Sequence, residues 1–151
     1  ADDINAVENQ PPPLAGHTLT LVKDSYHEGL MLIGGFSPEN GLNPNFYEFN
    51  ITTSTWAILK TSGHGPTGIY GHSSIYHSQS QVVYVFGGYE YAVNDDHISI
   101  SNRLYAFDYN KKLWTELPSF KNLNRPEEFL PRARFLRKKL AFPFYLTITN
   151  F

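Results

Sequence analysis

Six histidines, the paired carboxylates Asp95-Asp96 and the glycine-rich stretch Gly63-His64-Gly65 with Gly68 are the residues of this 151-residue chain whose types could do chemistry. Zinc hydrolases carry two histidines four apart on one helix face. None of His17, His27, His64, His72, His77 and His97 stands at that spacing, and His72 and His77, five apart on an extended segment, point to opposite faces. The glycine-rich stretch lacks both the spacing and the lysine that cradle phosphates, and no Gly-x-Ser-x-Gly nucleophile turn exists. Asp95-Asp96 offers weak cation contact at most, since acidic loop residues are ordinarily solvated. Cysteine is absent, which removes zinc-finger and thiol-catalysis readings. No catalytic residue, cofactor, metal or small-molecule substrate is therefore expected.

The elements that hold these residues are set by an internal repeat. Gly16-His17, Gly34-Gly35, Tyr47 and Trp56 recur in order as Gly71-His72, Gly87-Gly88, Tyr105 and Trp114. The offsets are 55 at Gly-His, 53 at Gly-Gly and 58 at both aromatic positions, so length varies in the loops. A period of about 50 residues is that of kelch arrays. Each copy predicts four short strands: His17–Val22, Leu30–Ile33, Phe46–Phe49 and Thr55–Leu59, answered by His72–Tyr76, Val82–Phe86, Leu104–Phe107 and Trp114–Leu117. Turn-forming clusters such as Pro38-Glu39-Asn40-Gly41 and Ser78-Gln79-Ser80-Gln81 separate them, and no helix-length amphipathic segment lies between Gly16 and Pro118.

The repeated residues read as scaffold. A double glycine closing an apolar strand permits positive φ and close backbone approach. Tyr47, Tyr105, Trp56 and Trp114 offer large rings to fill the space between adjacent sheets, with polar tips that can bond at an edge. His17 and His72 occupy equivalent places at the first strand of each copy, which favours a structural role for both.

An apolar strand ending in Gly-Gly, a downstream Tyr and a Trp nine residues later resemble kelch repeats of a β-propeller from Ala15 to Pro118. Within them, Leu30-Met31-Leu32-Ile33-Gly34-Gly35-Phe36-Ser37-Pro38 and Pro66-Thr67-Gly68-Ile69-Tyr70-Gly71-His72-Ser73 are similar to the extracellular kelch region of the attractin family, as is the run through Tyr76-His77 to Tyr84-Val85-Phe86-Gly87-Gly88-Tyr89. The resemblance implies an all-β, non-enzymatic protein–protein interaction module of a large cell-surface receptor, displaying loops to protein partners on the extracellular side. Copper-oxidase kelch propellers depend on a cysteine cross-linked to tyrosine, which this cysteine-free chain does not have. The alternative is an intracellular kelch adaptor that presents a substrate to a ubiquitin ligase or binds the cytoskeleton, weakened by the lack of a BTB-like helical segment before the repeats.

The expected organisation is a linker over 1–14, a first blade over 15–62, a second over 63–120, a lead-in to a third blade over 121–136, and a tail over 137–151 outside the family pattern. Two blades cannot close a ring of about four to eight, so a fragment with exposed sheet faces is expected. Up to Phe120 five basic residues face twelve acidic ones; from Lys121 seven face two. Pro131-Arg132-Ala133-Arg134-Phe135 resembles the lead-in of another unit, but the His and paired glycines do not follow. The tail from Leu140 is too short and proline-broken to span a membrane, which takes ~20 apolar residues, and one basic cluster does not make a nucleic-acid surface. No signal peptide or transmembrane segment is read in the chain, and the segment itself is expected to make no membrane contact.

Two further positions bear on function. Asn50-Ile51-Thr52 is a glycosylation sequon where the third strand turns to the fourth, although an Asn there also suits the turn itself. Tyr89, Tyr91, Asp95 and Asp96 combine aromatic anchors with acids in the longest irregular stretch, a candidate binding loop. Tyr89 and Tyr91 equally suit packing as an extension of the strand before them.

Overall fold

The computed structural model describes residues 9–24, 27–91 and 97–118; Asp95, Asp96, the third-blade lead-in and the tail lie outside them. Every named element is a strand. The first repeat forms β1 (Thr18–Lys23), β2 (Glu28–Ile33), β3 (Phe36–Ser37), β4 (Gly41–Leu42), β5 (Phe46–Asn50) and β6 (Thr55–Ile58). The connection carries β7 (Ser62–Gly63) and β8 (Ile69–Tyr70). The second repeat forms β9 (Ser73–His77), β10 (Val82–Phe86), β11 (Tyr89–Tyr91), β12 (Ile98–Ile100), β13 (Leu104–Asp108) and β14 (Leu113–Leu117).

The eight long strands make two antiparallel meanders, β1-β2-β5-β6 and β9-β10-β13-β14, and the predicted strand positions hold to within two residues. Two-residue β7 adds to the outer edge of β14 as a parallel pair, so the second sheet has five strands. Beyond each double glycine the chain makes a small extra hairpin: β3-β4 in the first copy, and β11-β12 in the second, where β8 joins as a third strand. These accessory strands are additional to the predicted four per unit.

Register decides which side chains meet. Thr18 pairs with Ile33 and Ile33 with Phe46, while Thr20 pairs with Met31 and Met31 with Glu48, so these six share one face of the first sheet. The face of the second sheet turned toward it carries Ser74, Tyr76, Val83, Val85, Tyr105, Phe107 and Trp114. The two faces pack into one core containing Val22, Met31, Ile33, Phe46, Val83, Val85, Tyr105, Phe107 and Trp114. Polar pairs stitch its rim: Thr18 Oγ1 with His72 Nε2 at 2.8 Å, Thr20 with Ser74, and the Tyr109 hydroxyl donating to Glu48. His72 is thus a buried link between sheets, whereas His17 Nδ1 bonds the Leu14 carbonyl at 3.1 Å.

The paired aromatics divide. Trp114 is 2% exposed, with its ring 4.9 Å from Phe46 of the first sheet and 4.7 Å from Phe107. Trp56 instead lies on the opposite face of the first sheet, half-buried against Phe49 at 5.1 Å and reaching no second sheet among the described residues. Tyr47 and Tyr105 are both buried. Gly34, Gly35, Gly87 and Gly88 all have positive φ, between 65° and 104°. At Gly88 an added Cβ would stand 2.6 Å from the Tyr70 carbonyl oxygen and 2.7 Å from His72 N; at Gly34 it would collide with the Ile69 carbonyl oxygen. These glycines let the connection between sheets run directly beneath the strand ends.

Candidate protein-interaction surface

The two ends of the sheets differ in character. At one end lie the β1-β2 and β5-β6 turns. There Asn50 Oδ1 accepts the backbone N–H groups of Thr52 (2.9 Å) and Thr53 (3.0 Å), closing an Asx turn whose residues 51–54 are exposed, while its Nδ2 stands 3.4 Å from His27 Nδ1. His27 Nε2 reaches Glu48 at 2.9 Å. Burial pushes the Tyr109 hydroxyl upward, reinforced by the Glu48 carboxylate that accepts from it. Lys112 sits 3.4 Å over the Tyr109 ring, and burial lowers its pKa.

The double-glycine end carries the accessory strands, and here apolar side chains face outward. In the β8-β11-β12 sheet Tyr70 pairs with Tyr89, Tyr89 with Ile100 and Tyr91 with Ile98, so all five share one face. Tyr91 is 42% exposed and Ile98 and Ile100 are also open. Ile69 and Glu90, on the other face, are buried. Tyr89 stacks on Tyr70 at 5.0 Å, and Tyr70 meets Phe36 of the β3-β4 hairpin at 5.9 Å, giving an aromatic ladder across the two repeats.

Under this platform Glu90 is held by donors on every side. Its carboxylate accepts from Ser101 Oγ and from the Tyr105 hydroxyl (3.0 Å), and Arg103 Nε lies at 3.5 Å. Arg103 also donates to the Tyr105 oxygen at 3.2 Å, which raises the guanidinium pKa, and reaches Glu116 at 3.6 Å. Burial, only partly offset by Arg103, pushes the Tyr105 hydroxyl up to about 12. So enclosed a carboxyl group is tolerable because each of its oxygens accepts a hydrogen bond, one from Ser101 and one from Tyr105, and the network fixes the platform on the second sheet.

Of the candidate loop, Tyr89 therefore packs, Tyr91 is presented to solvent, and Asp95 and Asp96 lie outside the described residues. Ile98, Ile100, Phe36 and Tyr70 were not singled out by sequence; the aromatic that follows Gly-Gly in both copies is the signal that could have found the ladder. One hollow of about 640 Å³, wide open, is lined by residues that include Gly63, His64, Trp114 and Pro118. His64, Thr115 and Glu116 are its side chains able to donate or accept protons. Among the described residues no group of three His, Asp or Glu is placed to hold a metal, and no helix is long and apolar enough to cross a membrane.

Residues 2–140 match the Attractin/LZTR1 beta-propeller family. The chain belongs to this family. Its relatives include Multiple epidermal growth factor-like domains protein 8 of Mus musculus, 40% identical over 119 residues, and of Homo sapiens, 41% identical over 106; the matched parts cover 78% and 70% of this chain but 4% of each relative. Kelch repeat-containing protein 2 of Saccharomyces cerevisiae is 34% identical over 84% of this chain and 13% of its own length. Two solved structures share the fold at 18% identity: a chain of RAG in complex with melted and unmelted RSS (TM-score 0.56, 70% of this chain and 36% of that one) and YjhT (TM-score 0.53, 71% and 38%). This member of the propeller family thus carries, in its two repeats, the sheets and the strand-end hairpins that position the Tyr91 platform.

Proposed function

We propose that the chain is a non-enzymatic protein-interaction module that engages a protein partner at the double-glycine end of its sheets. The observation that carries this reading is the platform of Tyr91, Ile98 and Ile100: outward aromatic and aliphatic side chains on a sheet anchored from behind by the Glu90 network. Rigidly supported aromatic and branched residues are what interface hot spots are made of. Asp95 and Asp96, which follow Tyr91 in the sequence, are part of this proposal as its acidic component. Cross-linking mass spectrometry on cells displaying the protein tests it. Partner cross-links should map to residues 89–100 and fall at least tenfold in the Tyr91→Ala, Ile98→Ser double variant without change in unfolding midpoint. Equal recovery from the variant overturns the assignment.

The extracellular setting is supported by the likeness to Multiple epidermal growth factor-like domains protein 8 and by the Asn50 sequon, which lies in an exposed turn at the end opposite the platform. A glycan on Asn50 leaves the platform open. Protein made in a secretory host should lose mass on enzymatic deglycosylation, and Asn50→Gln should abolish that loss; an unmodified Asn50 favours the intracellular adaptor.

A further inference from the structure

The double-glycine ends of the two copies follow one plan and are filled differently. The Asn43 N–H donates to the Gly35 carbonyl at 2.9 Å in the first copy, as the Ser101 N–H does to Gly88 at 2.8 Å in the second. Asn43 Oδ1 then accepts the Asn45 N–H at 3.1 Å, and Ser101 Oγ accepts the Arg103 N–H at 3.1 Å. Asn45 thus stands in place of Arg103, and Tyr47 in place of Tyr105. Ser37 and Glu90, each two residues past a double glycine, also correspond. In the second copy Glu90 and Arg103 crowd the tyrosine hydroxyl, at 3.0 and 3.2 Å. The first copy has the shorter Ser37 and Asn45 there, and a hollow of about 180 Å³ opens, lined by both together with Leu14, Asn40, Gly41 and Tyr47. Tyr47 is 5% exposed, and its hydroxyl meets no hydrogen-bond partner among the described residues.

We propose that this hollow is a socket for a side-chain carboxamide, glutamine or asparagine, of the protein partner seated on the Tyr91 platform. That the occupant belongs to a protein rests on the function proposed above; its chemistry rests on the comparison of the two copies. A buried hydroxyl is costly while unpaired, and Tyr47 needs an acceptor oxygen where Glu90 supplies one to Tyr105. A carboxylate suits the place poorly, because Asn45 has replaced Arg103 and the lining residues carry no charge to pair with it. The carboxamide is the neutral isostere: its oxygen accepts from Tyr47, and its N–H groups face the oxygens of Ser37, Asn40 and Asn45. Size agrees, since a cavity of roughly 150 Å³ takes a six-membered ring. Gly41 joins the socket to the platform, for a Cβ added there would lie 3.6 Å from the Tyr91 hydroxyl oxygen.

The probe is N-acetylglutamine amide, titrated into the isotope-labelled full chain and followed by NMR. The backbone amide signals of Ser37, Leu42 and Asn45 should shift saturably, and several-fold more of the ionised N-acetylglutamate amide should be needed for the same shift. Tyr47→Phe, which keeps the ring and removes the donor, should weaken the probe several-fold. Shifts that do not saturate, an equal response to the two probes, or unchanged affinity in Tyr47→Phe overturns the proposal. Should Tyr47→Phe lower the unfolding midpoint, Ser37→Glu with Asn45→Arg decides, because it installs the pair of the second copy: loss of the probe response supports the socket and its retention refutes it. Ile98→Ser, outside the hollow, should leave probe affinity unchanged even where it releases the partner. Partner cross-links to residues 89–100 that persist in a chain failing the probe tests refute the socket and leave the platform standing.

Discussion

At the scale of single residues, two groups carry costs that can be measured. Gly88 combines a φ of 83° with backbone atoms less than 3 Å from any Cβ it might acquire. Gly88→Val should therefore lower stability by roughly 3 kcal/mol or more, combining left-handed strain with a backbone collision, as read by urea unfolding. Tyr105 titrates upward from 10 to about 12 because burial disfavours the phenolate. Its folded pKa lies above its unfolded value, so its contribution is whole below pH 10 and is lost as pH rises towards 12. Unfolding free energy should fall across that window, and Tyr105→Phe should flatten the fall while removing a donor from Glu90, at about 1–2 kcal/mol at neutral pH. The double glycines were legible from sequence because they repeat. The Glu90 network was not: Glu90, Ser101, Arg103 and Tyr105 have no counterpart set in the first copy, where Ser37 and Asn43 stand in place of Glu90 and Ser101.

At the scale of elements, identical residues have unequal weight. Trp114→Ala opens a cavity between two sheets and should cost about 3–5 kcal/mol. Trp56→Ala, at the same place in the other copy, loses mainly its contact with Phe49 and should cost about 1 kcal/mol. Sequence could not separate the two, since repetition records what a position is for and not whether its partner is present beside it. A second element-level quantity is the Glu48–Tyr109 link between sheets. A double-mutant cycle with Glu48→Gln and Tyr109→Phe should give a coupling of roughly 1–2 kcal/mol, as charge-assisted hydrogen bonds do. The eight long strands were readable because alternation over four or more residues carries a period; β3, β4, β7, β8, β11 and β12 span two or three residues each, too few for a pattern. Their existence follows from tertiary context, the connection running under the double glycines.

At the scale of the molecule, one sheet face on each side of the shared core is open among the described residues. Leu19, Leu21 and Ile58 are exposed on the first sheet, Ile75 and Phe86 on the second. Leu21→Lys should accordingly change stability by less than about 0.5 kcal/mol while raising the concentration at which the protein begins to associate, measured by light scattering.

The parallel pair at the outer edge ties these halves into one event. Ser62 and Gly63 leave the first sheet and bond at once beside Leu113 and Trp114, the last strand of the second, about fifty positions onward. That lace cannot close until the final strand has arrived, and its closing locks both vanes. Heat or denaturant should thus find a single midpoint by every probe, with no stage at which one vane stands and the other has melted.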